Sequence, residues 1–299
     1  MKNNNSSIFT QDLISQWKKH YEKQDIKKIM YRCEYDDVLK SYFLKYLPKD
    51  QPILEAGCGF GQWVIYLNRL GYSVIGIEIV SECIEICKKF YPQAPVFVGD
   101  VRHLPFPDNY FGGYISLGVI EHMIEGPEKI IDEMIRVLKN DGIGIIMVPS
   151  YNYLLRILMP LRDSFVRIVK YNNVIRKIFN KPHIELDKKL IYDKLRKIQQ
   201  NLRKEFYPVI GVDPKNGPIF VEYKYPKGLL EKILSKYNLK IIEKNTIFSP
   251  CCLESLFGKL FCKSNTEFNI LGIFLQNLLN FINPHILNSH YICIVKVKK

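Results

Sequence analysis

A glycine-rich run is the first part of the sequence whose residue types and spacing could do chemistry. Gly57, Gly59 and Gly61 alternate with other residues, Glu55 precedes them, and Cys58 lies between them. Glycines in this arrangement let a backbone approach a ligand closely, because they tolerate positive φ and carry no side chain. The run follows a short apolar segment and opens an amphipathic one, which predicts a ligand above a strand-to-helix turn. Nicotinamide, flavin and adenosylmethionine folds all use such a turn, so the run alone predicts a nucleotide-like ligand.

Acidic residues stand after the next two predicted strands. Glu78 ends the second strand and precedes Ile79, at a position from which a carboxylate can accept hydrogen bonds from both hydroxyls of a ribose. The alternative for Glu78 is a solvated acid at a strand end. Asp100 and Val101 follow the third strand, where a carboxylate can accept a hydrogen bond from an adenine amino group. Because the carboxyl ends of parallel strands share one edge of a sheet, we expect these residues to surround one nucleoside.

Strands and helices must alternate to bring these residues to one edge. Runs rich in branched apolar residues are bounded by glycines and turns, which is typical of strands buried on both faces. We predict strands at 52–56, 73–78, 96–99, 113–117, 143–148, 240–247 and 291–297, and helices at 61–70, 81–90, 127–138 and 226–237. This rhythm indicates an α/β fold with a doubly wound, mostly parallel, seven-stranded sheet and helical insertions.

The complete set of motifs resembles the class I S-adenosylmethionine-dependent methyltransferase superfamily, in its small-molecule branch of quinone-biosynthesis-like enzymes (methyltransferase type 11). The motifs that carry the resemblance lie within about residues 50–150, in the order and spacing of the family. They are the glycine run, Glu78, Gly99-Asp100, the run from Leu104 to Phe111, Glu121-His122, and the run from Leu138 to Gly142. The resemblance implies a Rossmann-like methyltransferase fold whose antiparallel final strand is Tyr291–Val297.

By that resemblance, the cofactor is S-adenosyl-L-methionine, and its parts are divided among the predicted residues. Glu55, Gly57 and Leu117 belong to the methionine side, Glu78 holds the ribose, and Asp100 with the residue after it frames the adenine. The cofactor-binding candidates are Glu55, Gly57, Cys58, Gly59, Gly61, Glu78, Ile79, Asp100, Val101 and Leu117.

Methyl transfer requires the acceptor nucleophile, the methyl carbon and the sulfur in line, so the main tasks of the protein are alignment and exclusion of water. A general base is needed where the acceptor is a hydroxyl or a protonated amine. His122 follows the fourth strand beside the expected methyl site and is the candidate catalytic base. The alternative is that Glu121 and His122 shape the cofactor loop. His183 and Tyr153, in the segment after the fifth strand, are further candidates.

No metal is expected. Some quinone-type relatives carry an acid at the position of Gly118 and use it with the Glu-His pair at a metal, so by that resemblance this chain lacks one ligand. The chain has 8 Cys and no Cys-x-x-Cys pair, and therefore lacks the usual signature of a structural zinc site. Scattered thiols and a polar N-terminus (1–7) without an apolar segment predict a cytoplasmic protein.

The net charge of +13, from 43 Lys and Arg against 30 Asp and Glu, favours anionic partners. Compositional drift is the alternative explanation. Nucleic-acid amino methyltransferases carry an Asn-Pro-Pro-Tyr type motif after strand four, where this chain reads Ser116 to Ile120, so nucleic acid is not expected as a partner. An RNA methyltransferase, supported by charge alone, remains an alternative, as do a catalytically inactive cofactor-binding scaffold and an NAD-dependent dehydrogenase.

We expect four parts along the chain. They are an N-terminal helical segment (1–50), the S-adenosylmethionine-binding core (51–150), a basic aromatic insertion or lid (151–225) with a loop at 211–217, and a C-terminal part (226–299) with an apolar insertion at 249–288. The insertions are expected to cover a small-molecule acceptor that is hydrophobic or anionic. Polar residues interrupt the stretch 268–287, so we expect a helix buried against the domain rather than a spanning helix, with peripheral membrane contact as the alternative.

Overall fold

A computed structural model describes residues 3–22, 24–158, 172–178, 183, 188–213, 216–247, 260–264, 267–282 and 288–299. Three helices open the chain: α1 (Asn3–Tyr21), α2 (Ile26–Tyr35) and α3 (Asp37–Tyr46). The carboxylate of Asp25 caps α2 by accepting from the amide of Lys27, and that of Asp36 caps α3 by accepting from the amide of Leu39. The N-terminal segment is therefore helical, as its pattern predicts.

The remaining elements follow in chain order. The strands are β1 (Pro52–Ala56), β2 (Ser73–Glu78), β3 (Val96–Val98), β4 (Phe111–Leu117), β5 (Leu138–Pro149), β6 (Tyr207–Asp213), β7 (Gly217–Lys224), β8 (Leu239–Ile247), β9 (Cys262–Ser264), β10 (Glu267–Phe268) and β11 (His290–Val297). The helices are α4 (Gln62–Arg69), α5 (Ser81–Phe90), α6 (Glu128–Val137), α7 (Asn173–Ile178), α8 (Lys188–Asn201), α9 (Leu229–Leu234) and α10 (Ile270–Ile282), and a 3₁₀ turn spans Ile120–His122.

Seven strands form one sheet in the order β3-β2-β1-β4-β5-β11-β8. The pairs from β3 to β5 are parallel, whereas β11 is antiparallel to both β5 and β8. The predicted doubly wound, mostly parallel, seven-stranded sheet is confirmed, and so is its antiparallel final strand.

Successive residues of the central strands point to opposite faces of this sheet. On β4, Tyr114 belongs to one apolar core and Ile115 to the other, and on β11 the same holds for Cys293 and Ile292. The first core includes α6 and α9, and the second includes α2, α3, α4 and α5. Burial on both faces explains why the strand sequences are apolar throughout rather than alternating.

The segment after β5 differs from expectation. The predicted loop at 211–217 is wrong, because β6 and β7 form an antiparallel hairpin in which Gly211 pairs with Ile219 and Asp213 with Gly217. Pro208 and Gly211 lie inside β6 and hide its strand character, since both residues are depleted in strands. The hairpin packs β7 against the 3₁₀ turn and thereby brings a sequence-distant strand beside the edge where the ligand is expected.

The C-terminal part also departs from expectation. Helix α9 is shorter than the predicted 226–237. Helix α10 is not buried as expected: seven of its large apolar side chains are exposed, including Ile270 (85%), Phe274 (66%) and Phe281 (91%). Within the described ranges, every helix is too short or too polar to cross a membrane.

Candidate functional site

A cavity of about 390 Å³ lies at the carboxyl ends of the central strands. The strand order reverses between β1 and β4, and ligands of doubly wound sheets bind at such a switch point. The sequence-predicted site residues that line it are Gly57, Gly59, Glu78, Ile79, Asp100, Val101, Leu117 and His122. The structure thus brings together residues from four successive strand ends around one cavity.

The glycine run is required by backbone geometry. Gly57 has φ +80°, and a Cβ on it would lie 2.4 Å from Cγ2 of Val119. Gly61 has φ +71° at the start of α4, and its Cβ would lie 2.7 Å from Cγ1 of Val96. Side chains at these positions would therefore force both a rare backbone conformation and a steric clash. The loop lines the cavity with the backbone of Gly57 and Gly59, which leaves room for a large ligand lying against the backbone.

Glu55, Cys58 and Gly61 lie outside the set of residues that line the cavity. Glu55 is 2% exposed, accepts a hydrogen bond from the amide of Val64, and keeps Oε2 without a hydrogen-bond partner among the described residues. Burial raises the pKa of Glu55 well above its usual range. Cys58 is buried beneath the loop, where burial likewise raises the pKa of its thiol. The buried side chains of Glu55 and Cys58 therefore pack on the side of the loop that does not line the cavity.

Glu78 ties the loop to the end of β2. Its Oε2 accepts a hydrogen bond from the amide of Gly59 at 3.0 Å, and its Oε1 accepts from the amides of Ile79 at 2.9 Å and Val80 at 3.0 Å. Burial raises the pKa of Glu78, while these three amides act in the opposite direction. The carboxyl group faces the cavity with its position fixed by the backbone.

Asp100 forms an ion pair that the sequence did not reveal. Arg102 donates from Nε to Oδ1 at 2.9 Å and from Nη2 to Oδ2 at 2.6 Å, and Arg102 also lines the cavity. Burial of Asp100 opposes its ionisation, but the hydrogen bonds and charge of Arg102 outweigh burial and lower the pKa of Asp100. At this end of the cavity, the carboxylate of Asp100 is therefore held in position by the guanidinium of Arg102.

His122 lies at the other end of the cavity. Its Nδ1 is 2.7 Å from the carbonyl oxygen of Val221 on β7, and its ring meets that of Trp17 edge-on at 4.9 Å between centroids. Burial lowers the pKa of His122 against the opposing effect of nearby backbone carbonyls, so the ring is neutral near pH 7. Because a carbonyl only accepts, the neutral tautomer that fits the contact with Val221 has its proton on Nδ1 and its lone pair on Nε2, while the backbone of Gly118 provides a second hydrogen-bonding group beside the ring.

Two further carboxylates stand close to this ring. Oε1 of Glu121 is 3.8 Å from Nε2 of His122. One donor atom each from Glu121, His122 and Glu222 lie within 4.8 Å of one another, the spacing of a potential metal-ligand set. Burial, followed by the charge of Glu222, raises the pKa of Glu121 well above its usual range. Sequence reasoning missed Glu222, because it lies on a strand that was not predicted.

Helix α1 covers the cavity, a role that the sequence did not reveal. Trp17, His20 and Tyr21 of the helix line it and share one helical face by their spacing, and Gln24, beyond the end of the helix, lines it as well. The ring of Tyr21 contacts that of Phe60 at 5.0 Å between centroids. The sequence signal that could have revealed this face is the helical spacing of the aromatic residues Trp17 and Tyr21.

The two further base candidates lie elsewhere. His183 is exposed and Tyr153 is 42% exposed, and neither belongs to the residues that line the cavity. Among the candidates for a base, His122 alone is placed at the cavity by the described part of the chain.

Comparison with known proteins finds a matching domain and a matching fold. Residues 54–146 match a family model described as "Methyltransferase domain". The chain is 34% identical over 100 residues to the uncharacterized methyltransferase YodH of Bacillus subtilis, covering 32% of this chain and 42% of that protein. It is 34% identical over 108 residues to tRNA (carboxymethyluridine(34)-5-O)-methyltransferase of Arabidopsis thaliana, covering 36% and 26%. The matches span about half of the length of the first curated relatives, or less.

Among solved structures, a SAM-dependent methyltransferase from Methanosarcina mazei aligns with a TM-score of 0.52 at 17% identity, covering 86% of this chain and 97% of that one. Similarity at this level shows a shared fold. The domain match, the shared fold and the cavity at the switch point agree with one another. Residues 54–146 therefore form a methyltransferase domain of the class I S-adenosylmethionine-dependent type.

Proposed function

We propose that this protein transfers a methyl group from S-adenosylmethionine to a small-molecule or lipid-linked metabolite. The observation that carries the proposal is the single cavity that joins the braced carboxylate of Asp100, the fixed carboxyl group of Glu78 and the neutral ring of His122. When bound, the cofactor supplies a methyl group on a positively charged sulfur. The nucleophile of the acceptor bonds to the methyl carbon and displaces the sulfur in line.

The cofactor-binding roles follow from the chemistry of the lining. Glu78 holds the ribose hydroxyls, since a carboxyl oxygen can accept hydrogen bonds beyond those from the three amides. Asp100 accepts from the adenine amino group, with Val101 against the ring. Gly57 and Gly59 allow the backbone to approach the methionine moiety, beside Leu117.

The acceptor lies at the end of the cavity lined by Trp17, His122 and Met123. These side chains are largely apolar and suit a hydrophobic acceptor, and helix α1 above them excludes water. The lone pair on Nε2 of His122 takes the proton of an acceptor hydroxyl or ammonium group as the methyl group is transferred. A base positioned in this way contributes about 10²- to 10⁴-fold to the rate.

The test compares two cofactor classes by titration calorimetry. S-adenosylhomocysteine should bind the full chain, whereas NAD should give no heat of binding. Tight NAD binding without a response to S-adenosylhomocysteine would reject the proposal in favour of a dehydrogenase. Binding of S-adenosylhomocysteine without turnover of S-adenosylmethionine across hydrophobic and anionic acceptors would favour an inactive scaffold.

An RNA acceptor is the second candidate. It is supported by the net charge of +13 and by the similarity over about a third of the chain to a tRNA methyltransferase of Arabidopsis thaliana. The discriminating experiment is methyl transfer to total tRNA at increasing salt. Methylated RNA product, with binding that weakens steeply as salt rises, would favour RNA over a small molecule.

A further inference from the structure

Five rings line the cavity, and three of them come from helix α1. They are Trp17, His20 and Tyr21 of the helix, Phe60 of the glycine loop, and His122. The ring centroid of Trp17 lies 4.9 Å from that of His122 and 5.5 Å from that of Tyr21. Tyr21 in turn lies 5.0 Å from Phe60. The rings therefore form a continuous series of contacts from the glycine loop to His122.

Most of these rings meet at steep angles. The planes of Trp17 and His122 are 86° apart, and those of Trp17 and His20 are 82° apart. The planes of Tyr21 and Phe60 are 71° apart. Aromatic faces carry partial negative charge and attract cations, and cages of several rings bind quaternary ammonium groups. A group held in this cavity lies beside rings of several orientations, an arrangement that suits an organic cation.

The charges of the lining also favour a cation. Among the described residues, no Lys lines the cavity, and its only Arg is Arg102, which is paired with Asp100. Glu78 lines the cavity as well, and its carboxyl group is held by backbone amides instead of a basic side chain. The excess of Lys and Arg that gives the net charge of +13 therefore lies outside the cavity lining, which suits a cation better than an anion.

A further acid lies behind the lining at the His122 end. Glu121 is 2% exposed, and its Oε2 has no hydrogen-bond partner among the described residues. Its Oε1 lies 3.8 Å from Nε2 of His122 and 3.4 Å from the Cβ position of Gly118, a residue that lines the cavity. Positive charge in the adjacent part of the cavity would favour the ionised form of this buried carboxyl group, so a cation and Glu121 stabilise each other.

We propose that Trp17, Tyr21 and His122 bind an onium group, either a sulfonium or an alkylammonium ion, between the glycine loop and the acceptor end of the cavity. The proposal rests on the proposed function, in which both reactants bring such a group to this place. The cofactor carries a sulfonium until the methyl group leaves, and an amine acceptor carries an ammonium group until it is deprotonated. An onium ion from either source would contact the same rings.

With an amine acceptor, the proton has a defined destination. The ammonium group passes one proton to Nε2 of His122, and the nitrogen lone pair then forms the bond to the methyl carbon. The carbon–sulfur bond breaks with its electron pair on sulfur, which becomes neutral. The positive charge moves from sulfur to the methylated nitrogen, so the rings contact a cation before and after transfer.

The first arm of the test compares S-adenosylmethionine with S-adenosylhomocysteine, which lacks the positive charge, by titration calorimetry of the full chain. Trp17→Leu keeps an apolar side chain and removes the ring. It should raise the Kd of S-adenosylmethionine roughly 2- to 30-fold and that of S-adenosylhomocysteine less, and Tyr21→Leu should act in the same direction. Trp17→Phe should restore most of the affinity for S-adenosylmethionine. Tyr31→Leu, at a 62% exposed ring of α2, should change neither Kd.

The second arm measures choline binding to the complex with S-adenosylhomocysteine, in which the sulfur is neutral. The wild type should bind choline more tightly than its neutral carbon isostere, in which a tert-butyl group replaces the trimethylammonium group. Trp17→Leu should remove this preference, because the two probes differ in charge and share one shape.

The two arms identify the source of the onium group. A loss in Trp17→Leu that is larger for S-adenosylmethionine than for S-adenosylhomocysteine assigns it to the cofactor, and a lost preference for choline assigns it to the acceptor; either result supports the proposal. Losses that are absent or equal for the two cofactor forms, together with equal binding of choline and its isostere, overturn it. Choline binding that depends on Trp17, in a chain that binds neither cofactor form, leaves the onium site standing and rejects the methyltransferase function.

Discussion

Two constraints require a glycine at position 57, a positive φ and a close neighbour of the Cβ position, whereas only the first applies at Gly71. Gly57 has φ +80° and a Cβ position 2.4 Å from Val119, whereas Gly71 has φ +84° and nothing within 4 Å of its Cβ position. We expect Gly71→Ala to lose about 1–2 kcal/mol through backbone strain alone. Gly57→Ala should lose about 1–3 kcal/mol more, because the methyl group also overpacks the site.

Urea unfolding of both variants measures this difference, and S-adenosylhomocysteine titration of the same samples shows its effect on the loop. Gly71→Ala should keep the wild-type affinity. Equal stability losses in the two variants would contradict the clash with Val119.

Glu78 is expected to carry the largest share of cofactor affinity among the side chains. In Glu78→Gln, an amide nitrogen replaces one oxygen, so the bond from the Gly59 amide and a ribose hydrogen bond to a charged acceptor are both weakened. Hydrogen bonds to charged groups contribute about 1.5–3 kcal/mol, which predicts a roughly 10- to 150-fold rise in the Kd of S-adenosylhomocysteine.

The control for this change is Glu85→Gln, at an exposed position of α5. It should leave the Kd unchanged. A wild-type Kd in Glu78→Gln would show that the carboxylate organises the loop without contacting the cofactor.

Residues of the site could be predicted where the signal is local. Glycines with positive φ and acids at strand ends lie next to the strands in sequence. Gly57, Glu78 and Asp100 could therefore be predicted from the sequence. Trp17 reaches the cavity, and Glu222 reaches the Glu121-His122 pair, only through tertiary packing of α1 and β7. Contacts between residues so far apart in the chain leave no local pattern to read.

At the scale of elements, Arg136 joins α6 to the Leu104–Asp108 segment. Its guanidinium donates to the carbonyl oxygens of Phe106 at 2.7 Å and Leu104 at 3.0 Å, and to Glu133 at 2.7 and 2.8 Å. The motif residues before β4 and before β5 are thus structural partners. We expect Arg136→Met to lose about 1–2 kcal/mol at pH 7, since its side chain is 30% exposed and partly screened.

This loss should depend on pH. Hydrogen bonds from Arg136 lower the pKa of Glu133 below its unfolded value of about 4.3, so the stabilisation is present above that pH and declines as pH falls through the folded pKa. Unfolding in urea at pH 7 and pH 3.5 should show a smaller difference between Arg136→Met and wild type at the lower pH. Arg69→Met, whose ion pair with Glu34 is exposed, should lose at most about 0.5 kcal/mol at either pH.

Helix α1 lies over the cavity, so we expect it to move when the ligand enters or leaves. Two of its ion pairs, Lys18 with Glu82 and Lys19 with Asp213, involve exposed lysines and contribute little to holding it, and a third joins Asp12 to Lys194. We expect bound S-adenosylhomocysteine at 100 times its Kd to slow hydrogen exchange of the α1 amides by up to about 100-fold. Amides of α10, which contributes nothing to the cavity lining, should exchange at the unliganded rate. Unchanged exchange in α1 would show that the ligand passes without displacing the helix.

The elements themselves were predictable to the extent that their periodicity is clear. Strands β1, β4 and β5 are largely buried on both faces and have glycines within or beside them, and both features are visible in sequence. Strand β6 of the hairpin is only partly buried and contains Pro208 and Gly211, so its pattern resembles that of a loop. Its importance comes from packing against the turn that holds His122.

At the scale of the whole molecule, an apolar surface and a basic charge occur together. Seven large apolar side chains of α10 are exposed by 46–91%, and the chain carries a net charge of +13. An anionic lipid surface complements both features, because it accepts apolar side chains at its interface and attracts basic residues. We therefore propose peripheral contact with anionic membranes, which would bring the cavity close to a lipid-linked acceptor.

Vesicle cosedimentation tests this contact. The protein should bind vesicles containing phosphatidylserine, bind neutral phosphatidylcholine vesicles more weakly, and dissociate as salt screens the charge. Phe274→Asp and Phe281→Asp should each reduce binding at least about tenfold, because a buried Phe contributes about 1.5–3 kcal/mol and an acid is repelled. Leu44→Asp removes a side chain of α3 that is 55% exposed and changes the net charge equally, so it should retain most of the binding. If all three variants lose binding to the same degree, charge alone attracts the protein and α10 does not enter the interface.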